Sequence, residues 1–136
     1  MLNTNPLRAR FPEPGDTSAR WLGLHGSSSA LALLAAAAKH PGVTLLVTRS
    51  SHRAQLMMRD LELLSLDELP VYLFPDPETL PYDPFSPHPD ITAERMRTLA
   101  ALSALQHGLV LAPVSSLMQR LPPAEYIPQR SFDLRS

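Results

Sequence analysis

Residues 21–47 read WLGLHGSSSALALLAAAAKHPGVTLLV, and this stretch decides the fold. Trp21-Leu22-Gly23-Leu24 is a short apolar run that leads into a glycine-containing turn, and the spacing predicts a strand there. Ser27, Ser28 and Ser29 follow, with side-chain oxygens suited to cap a helix starting near Ala30. That helix is rich in alanine and leucine, the strongest helix formers, and should stop at His40-Pro41-Gly42, because proline cannot continue the hydrogen-bond ladder. Val43-Thr44-Leu45-Leu46-Val47 is then a continuous β-branched and apolar run, the pattern of a central strand covered on both faces of a parallel sheet.

The alternation continues outward from this unit. Ser50 or Ser51 can cap a second helix on which Ala54, Met57, Met58, Leu61 and Leu64 share one face. Val71-Tyr72-Leu73-Phe74 reads as the next strand, and the proline-rich stretch from Pro75 to Asp90 as a shaped loop. A longer helix opening at Asp90 or Thr92 carries a stripe of Met96, Leu99, Leu102 and Leu105, with Glu94, Arg95 and Arg97 largely off that stripe. Gly108 is its expected stop. Leu109-Val110-Leu111-Ala112 is a fourth strand, and a short helix runs on to Leu121 before Pro122-Pro123. Strands alternating with helices at this spacing predict an α/β fold, a parallel sheet with helices on both faces.

Composition narrows the function. The 136 residues suit one domain, and a net charge of −1 offers no strong attraction to nucleic acid or an anionic membrane. There is no cysteine, which removes disulfides and thiolate chemistry and suits a reducing cytoplasm. The longest apolar run, Ala30 to Ala38, is too short to span a bilayer, and residues 1–20 lack the apolar core of a secretory signal. A cytoplasmic protein without membrane contact is the expectation.

In an open parallel sheet, ligands bind beyond the carboxyl ends of the strands, so the first turn is where nucleotide chemistry would be sought. A phosphate loop, G-x-x-x-x-G-K-[ST], needs glycines for close backbone approach, a lysine for charge and a hydroxyl for magnesium. Laid on Gly23 to Ala30, the first glycine matches. Gly26 and Ser27 fall among the variable positions, while Ser28 stands at the second glycine, Ser29 at the lysine and Ala30 at the hydroxyl residue. Lys39 is the sole lysine of the chain, and ten helical residues past Ser29 place it roughly 15 Å away. The loop is degenerate, so no ATP and no other cofactor is expected in this chain. Asp67-Glu68 does not replace a magnesium-holding acid pair, because it follows a helical pattern rather than ending an apolar strand.

Hydrolase and metal chemistry fare no better. No G-x-S-x-G elbow exists, and Ser86, His88 and Asp90 alternate along one loop with no evident way to converge as a triad. The histidines at 25, 40, 52, 88 and 107 occur singly, which favours surface or capping roles over metal. The least generic stretch is Leu80-Pro81-Tyr82-Asp83-Pro84-Phe85-Ser86-Pro87-His88. Tyr82 and Phe85, with Asp83 and His88 beside them, could form an interaction loop that stacks on a partner or on bases; the two aromatics could equally fold inward and staple the loop to the sheet.

The run from Glu78 to His88, then Arg95 to Leu99, then Pro113-Val114 and Leu117-Met118-Gln119-Arg120, resembles the N-terminal region of the bacterial transcription-repair coupling factor family, Mfd. The resemblance covers about residues 20–123. That family's N-terminal module is similar to the excision-repair protein UvrB, whose first domain is of the P-loop, RecA-like kind, and Ala54-Gln55-Leu56 resembles the segment after the second strand of UvrB and related helicases. Two departures from UvrB stand out: the loop at Gly23 to Ala30 is degenerate, and the stretch between Asp83 and the Arg95 helix is too short for a DNA-gripping β-hairpin.

The resemblance implies a non-catalytic scaffold that helps recruit UvrA to stalled RNA polymerase in nucleotide-excision repair. It implies too that ATP, magnesium and DNA are engaged by helicase domains elsewhere in a longer ATP-dependent translocase. Residues 1–20 are then an arm, 21–121 the degenerate P-loop-like domain, and 122–136 the lead-in to an inserted domain that carries most of the UvrA surface. A chain of this extent should leave apolar surface exposed and self-associate. Two other classes compete: a stand-alone nucleotide-binding enzyme with an unorthodox loop, and a DNA-binding module working through Tyr82 and Phe85.

Overall fold

A computed structural model describes residues 16–65, 69–79, 84 and 86–123. Tyr82, Asp83, Phe85, the pair Asp67-Glu68, most of the arm and nearly all of 122–136 lie outside the described residues. The order is α1 (Ser28–Lys39), β1 (Val43–Thr48), α2 (Ser51–Ser65), β2 (Val71–Leu73), α3 (Pro89–Ala104), β3 (Gly108–Pro113) and α4 (Val114–Leu117). The three strands form one parallel sheet in the order β1-β3-β2. The fold is α/β, a parallel sheet flanked by helices.

Two helix ends follow local chemistry, whereas the expected serine cap of α1 does not form: the helix starts at Ser28, and Ser27 makes no side-chain capping bond. Ser50 Oγ accepts the Arg53 N–H at 3.3 Å and caps α2. Pro89 sits in the first turn of α3, where its missing N–H costs nothing, and His88 Nδ1 accepts the Asp90 N–H at 3.3 Å. Another histidine, His107, lies with Nε2 3.0 Å from the Ala37 carbonyl in the last turn of α1. Capping and surface roles therefore account for both.

The strand order explains the layers. From β1 the chain crosses over β3 to reach β2 through α2, then steps back to β3 through α3. Right-handed crossovers that reverse direction lie on opposite faces of the sheet. On the α2 face, Leu109 and Leu111 of β3 are buried with Leu61 of α2 and Ala30 and Ala37 of α1, and Leu46, Val71 and Leu73 pack against them. Val110 and Ala112, pointing to the other face, are also buried.

Four expectations are corrected, the first being the last helix: α4 ends at Leu117 and not at Leu121. Trp21 to Leu24 is not a strand: Gly23 has φ 74 and Gly26 φ 55, left-handed conformations that interrupt an extended run. β1 is not central but an edge strand, and Val43, Leu45 and Val47 are 37%, 53% and 48% exposed. The central strand is β3, buried at all six positions. Gly108 does not stop a helix; α3 ends at Ala104 with Leu105 as its cap, and Gly108 opens β3.

Arg95, expected off the apolar stripe, packs against the end of β2. It is partly buried, donates from Nη1 to the Pro75 carbonyl and lies 4.1 Å from the centroid of the Phe74 ring. Burial lowers its pKa from the ordinary value, and the neighbouring Asp76 acts in the opposite direction. Thr98, one turn on, is buried and donates to the Leu73 carbonyl at 2.8 Å. Together they bind α3 to the end of β2. Among the described residues no helix is long and apolar enough to cross a membrane.

Candidate functional site

Two hollows lie near the carboxyl ends of the strands. The larger, of about 650 Å³, is an open groove between the turn at Leu24 to Ser29 and α2, and of the degenerate phosphate-loop positions it takes in Gly26 and Ser29. Gly23, Gly26 and Ser27 are exposed, Ser28 and Ser29 half-buried and Ala30 fully buried at the start of α1.

The turn is closed on itself. Ser28 Oγ accepts the His25 N–H at 2.8 Å and donates to the His25 carbonyl at 2.7 Å. The backbone N–H groups of Ser28 and Ser29 donate to the carbonyls of His25 and Gly26, at 3.3 and 3.4 Å. A phosphate loop works by presenting free N–H groups to the ligand. In this turn three of them are already committed to neighbouring oxygens, and Ser28, the residue at the second-glycine position, supplies one of those oxygens. Sequence reasoning saw the missing lysine, glycine and hydroxyl; the internal bonds depend on a turn geometry that residue types do not specify.

The smaller hollow, of about 100 Å³, sits where β2 and β3 end and α2 begins. Asp76, Glu78 and Glu94 line it with Ser51 and Gln55. Asp76 organises this corner: its Oδ1 accepts the Glu78 N–H at 2.8 Å, and its Oδ2 accepts the Ser115 hydroxyl. Glu78 is held at φ 62, a left-handed conformation unusual for a residue with a side chain. Three carboxylates at the carboxyl edge of a sheet oppose a polyphosphate there. They do not converge as ligands, since no group of three or more His, Cys, Asp or Glu among the described residues could hold a metal ion.

Of the interaction-loop residues, His88 is in place as the α3 cap; Tyr82, Asp83 and Phe85 are outside the described residues. The residues that sequence reasoning missed are Asp76, Arg49 and Arg53. None lies in a motif, and they matter only because β1, β2 and β3 end side by side.

No protein-family model matches the chain. Among curated proteins it is similar to the transcription-repair-coupling factor of Haemophilus influenzae, 41% identical over 100 residues, which are 74% of this chain and 9% of that protein. It is 38% identical over 104 residues to the transcription-repair-coupling factor of Escherichia coli, covering 76% of this chain and 9% of that protein. The corresponding protein of Staphylococcus haemolyticus is 28% identical over 113 residues, 83% of this chain and 10% of that protein. The chain thus spans about a tenth of the length of the relatives it matches. Over roughly three quarters of its residues, it is homologous to the bacterial transcription-repair-coupling factors, Mfd.

Proposed function

We propose that the chain is a non-catalytic, cytoplasmic scaffold, the first part of the UvrB-like module of a transcription-repair-coupling factor, which supports recruitment of UvrA to stalled RNA polymerase in nucleotide-excision repair. On this reading residues 21–121 are a RecA-like domain whose phosphate loop has lost its ligand, flanked by the arm at 1–20 and by a lead-in to an inserted domain at 122–136. ATP, magnesium and DNA are engaged by other parts of the longer protein. The observation that carries the reading is the self-closed turn at His25 to Ser29, where the hydroxyl and N–H groups are spent on each other. The homology supplies the process.

Calorimetric titration with Mg-ATP tests it against the competing reading, a stand-alone nucleotide-binding enzyme. The scaffold predicts no heat of binding at micromolar nucleotide, and no hydrolysis after Ser29→Lys, because neither the second glycine nor the metal-anchoring hydroxyl returns with the lysine. Micromolar affinity that vanishes in Ser28→Ala or Ser29→Ala would transfer the case to the enzyme. In the longer polypeptide the same Ser29→Ala change is expected to leave UvrA capture unaltered.

A further inference from the structure

The groove beside the closed turn has a chemistry of its own. Its apolar surface comes from Leu24, Leu46, Leu56 and Met57, and two arginines, Arg49 and Arg53, line it beside them. Arg49 lies in the tight turn after β1 and Arg53 in the first turn of α2, so the backbone brings both to the same rim of the sheet. Both are exposed, and no ion pair among the described residues engages either. Asp60 also lines the groove and carries the opposite charge. A volume of about 650 Å³ lies within the range of roughly 300–1,000 Å³ typical of ligand clefts.

Three observations select the occupant. Two exposed cations with no ion pair among the described residues call for anionic groups on the partner. The apolar residues beneath, with Leu56 41% exposed, call for aliphatic or aromatic side chains between those anions. A polyphosphate answers the cations but not the apolar residues: it has no apolar surface to offer, and the N–H groups of the turn that could cradle it are already bonded. From charge complementarity we infer that the Leu24–Met57 groove docks an acidic polypeptide segment, placing carboxylates against Arg49 and Arg53 and hydrophobic side chains on Leu46, Leu56 and Met57. This is a protein-binding surface on the phosphate-loop side of the domain, additional to the scaffold reading and independent of it.

The probe is the acetylated, amidated hexapeptide Asp-Leu-Glu-Phe-Asp-Leu, titrated into the isotope-labelled chain while backbone amide shifts are followed. Shifts should concentrate at His25, Arg49, Arg53 and Met57. Affinity should fall about tenfold in the double variant Arg49→Ser with Arg53→Ser and fall similarly in about 0.5 M salt, as expected for solvent-exposed ion pairs. A Leu56→Gln variant should weaken binding without altering its salt dependence. The same peptide with lysine at its acidic positions should not bind. Equal binding of the lysine peptide, undiminished binding by the double variant, or no shift at all in the groove would overturn the proposal. So would sodium triphosphate if it bound there more tightly than the acidic peptide, since the site would then be for phosphate. Each substitution lies at an exposed position, and an unchanged amide spectrum of the free variant verifies that the fold is intact.

Discussion

A methyl group added at Gly108 would sit 2.9 Å from the Pro70 carbonyl oxygen and 3.2 Å from both Leu105 methyls. That carbonyl cannot retreat, because it accepts the Leu109 N–H at 2.9 Å where β2 and β3 come together. Gly108→Ala should therefore destabilise the domain by about 1–3 kcal/mol, the usual cost of overpacking, read as a lower urea midpoint at unchanged slope. Thr98→Val is expected to cost about 1 kcal/mol, since the part-buried Leu73 carbonyl loses this donor while the side-chain volume is kept. Neither role was legible as such. A glycine after a helical stripe reads as a cap, and a threonine beside leucines reads as surface; close approach and a partner 25 positions away appear only when the chain is folded.

Among the elements, those with strong local signals were readable. α1 stops where His40-Pro41-Gly42 demanded, α2 starts after Ser50 and carries the expected apolar face, and β1 and β3 lie on the runs rich in valine and leucine. Trp21 to Leu24 misled because four residues cannot show whether a neighbour exists to pair with, and Gly23 is free to take the left-handed conformation it adopts. β1 misled differently. Its run of β-branched and apolar residues looks central, yet among the described residues it has one partner strand, and its row of Val43, Leu45 and Val47 is 37–53% exposed and free of charge. An edge strand of this kind is a template for further pairing. The expected self-association should thus run through β1, and Leu45→Lys should shift sedimentation toward the monomer, with little change in stability because the position is already half-exposed.

For the molecule as a whole, a net charge of −1, a single lysine and an acidic hollow at the carboxyl edge of the sheet all oppose a direct role in gripping DNA. Fluorescence anisotropy with duplex or single-stranded DNA should show no salt-dependent binding; a steep fall of affinity with salt would revive a nucleic-acid role for the loop bearing Tyr82 and Phe85. The sequence by itself determined the alternation of helix and strand, the absence of the lysine, glycine and hydroxyl that a triphosphate requires, and the likeness to the coupling factors. These are properties of residue type and short spacing, carried by the chain in any conformation. Tertiary structure alone decided that β3 is the buried centre and β1 the open edge, that Ser28 fills the turn with its own hydroxyl, and that Arg49 and Arg53 line one groove with Leu24, Leu46, Leu56 and Met57. Each of those outcomes depends on which strands pair across long stretches of chain, and pairing is settled by the joint burial of residues that no local pattern brings together.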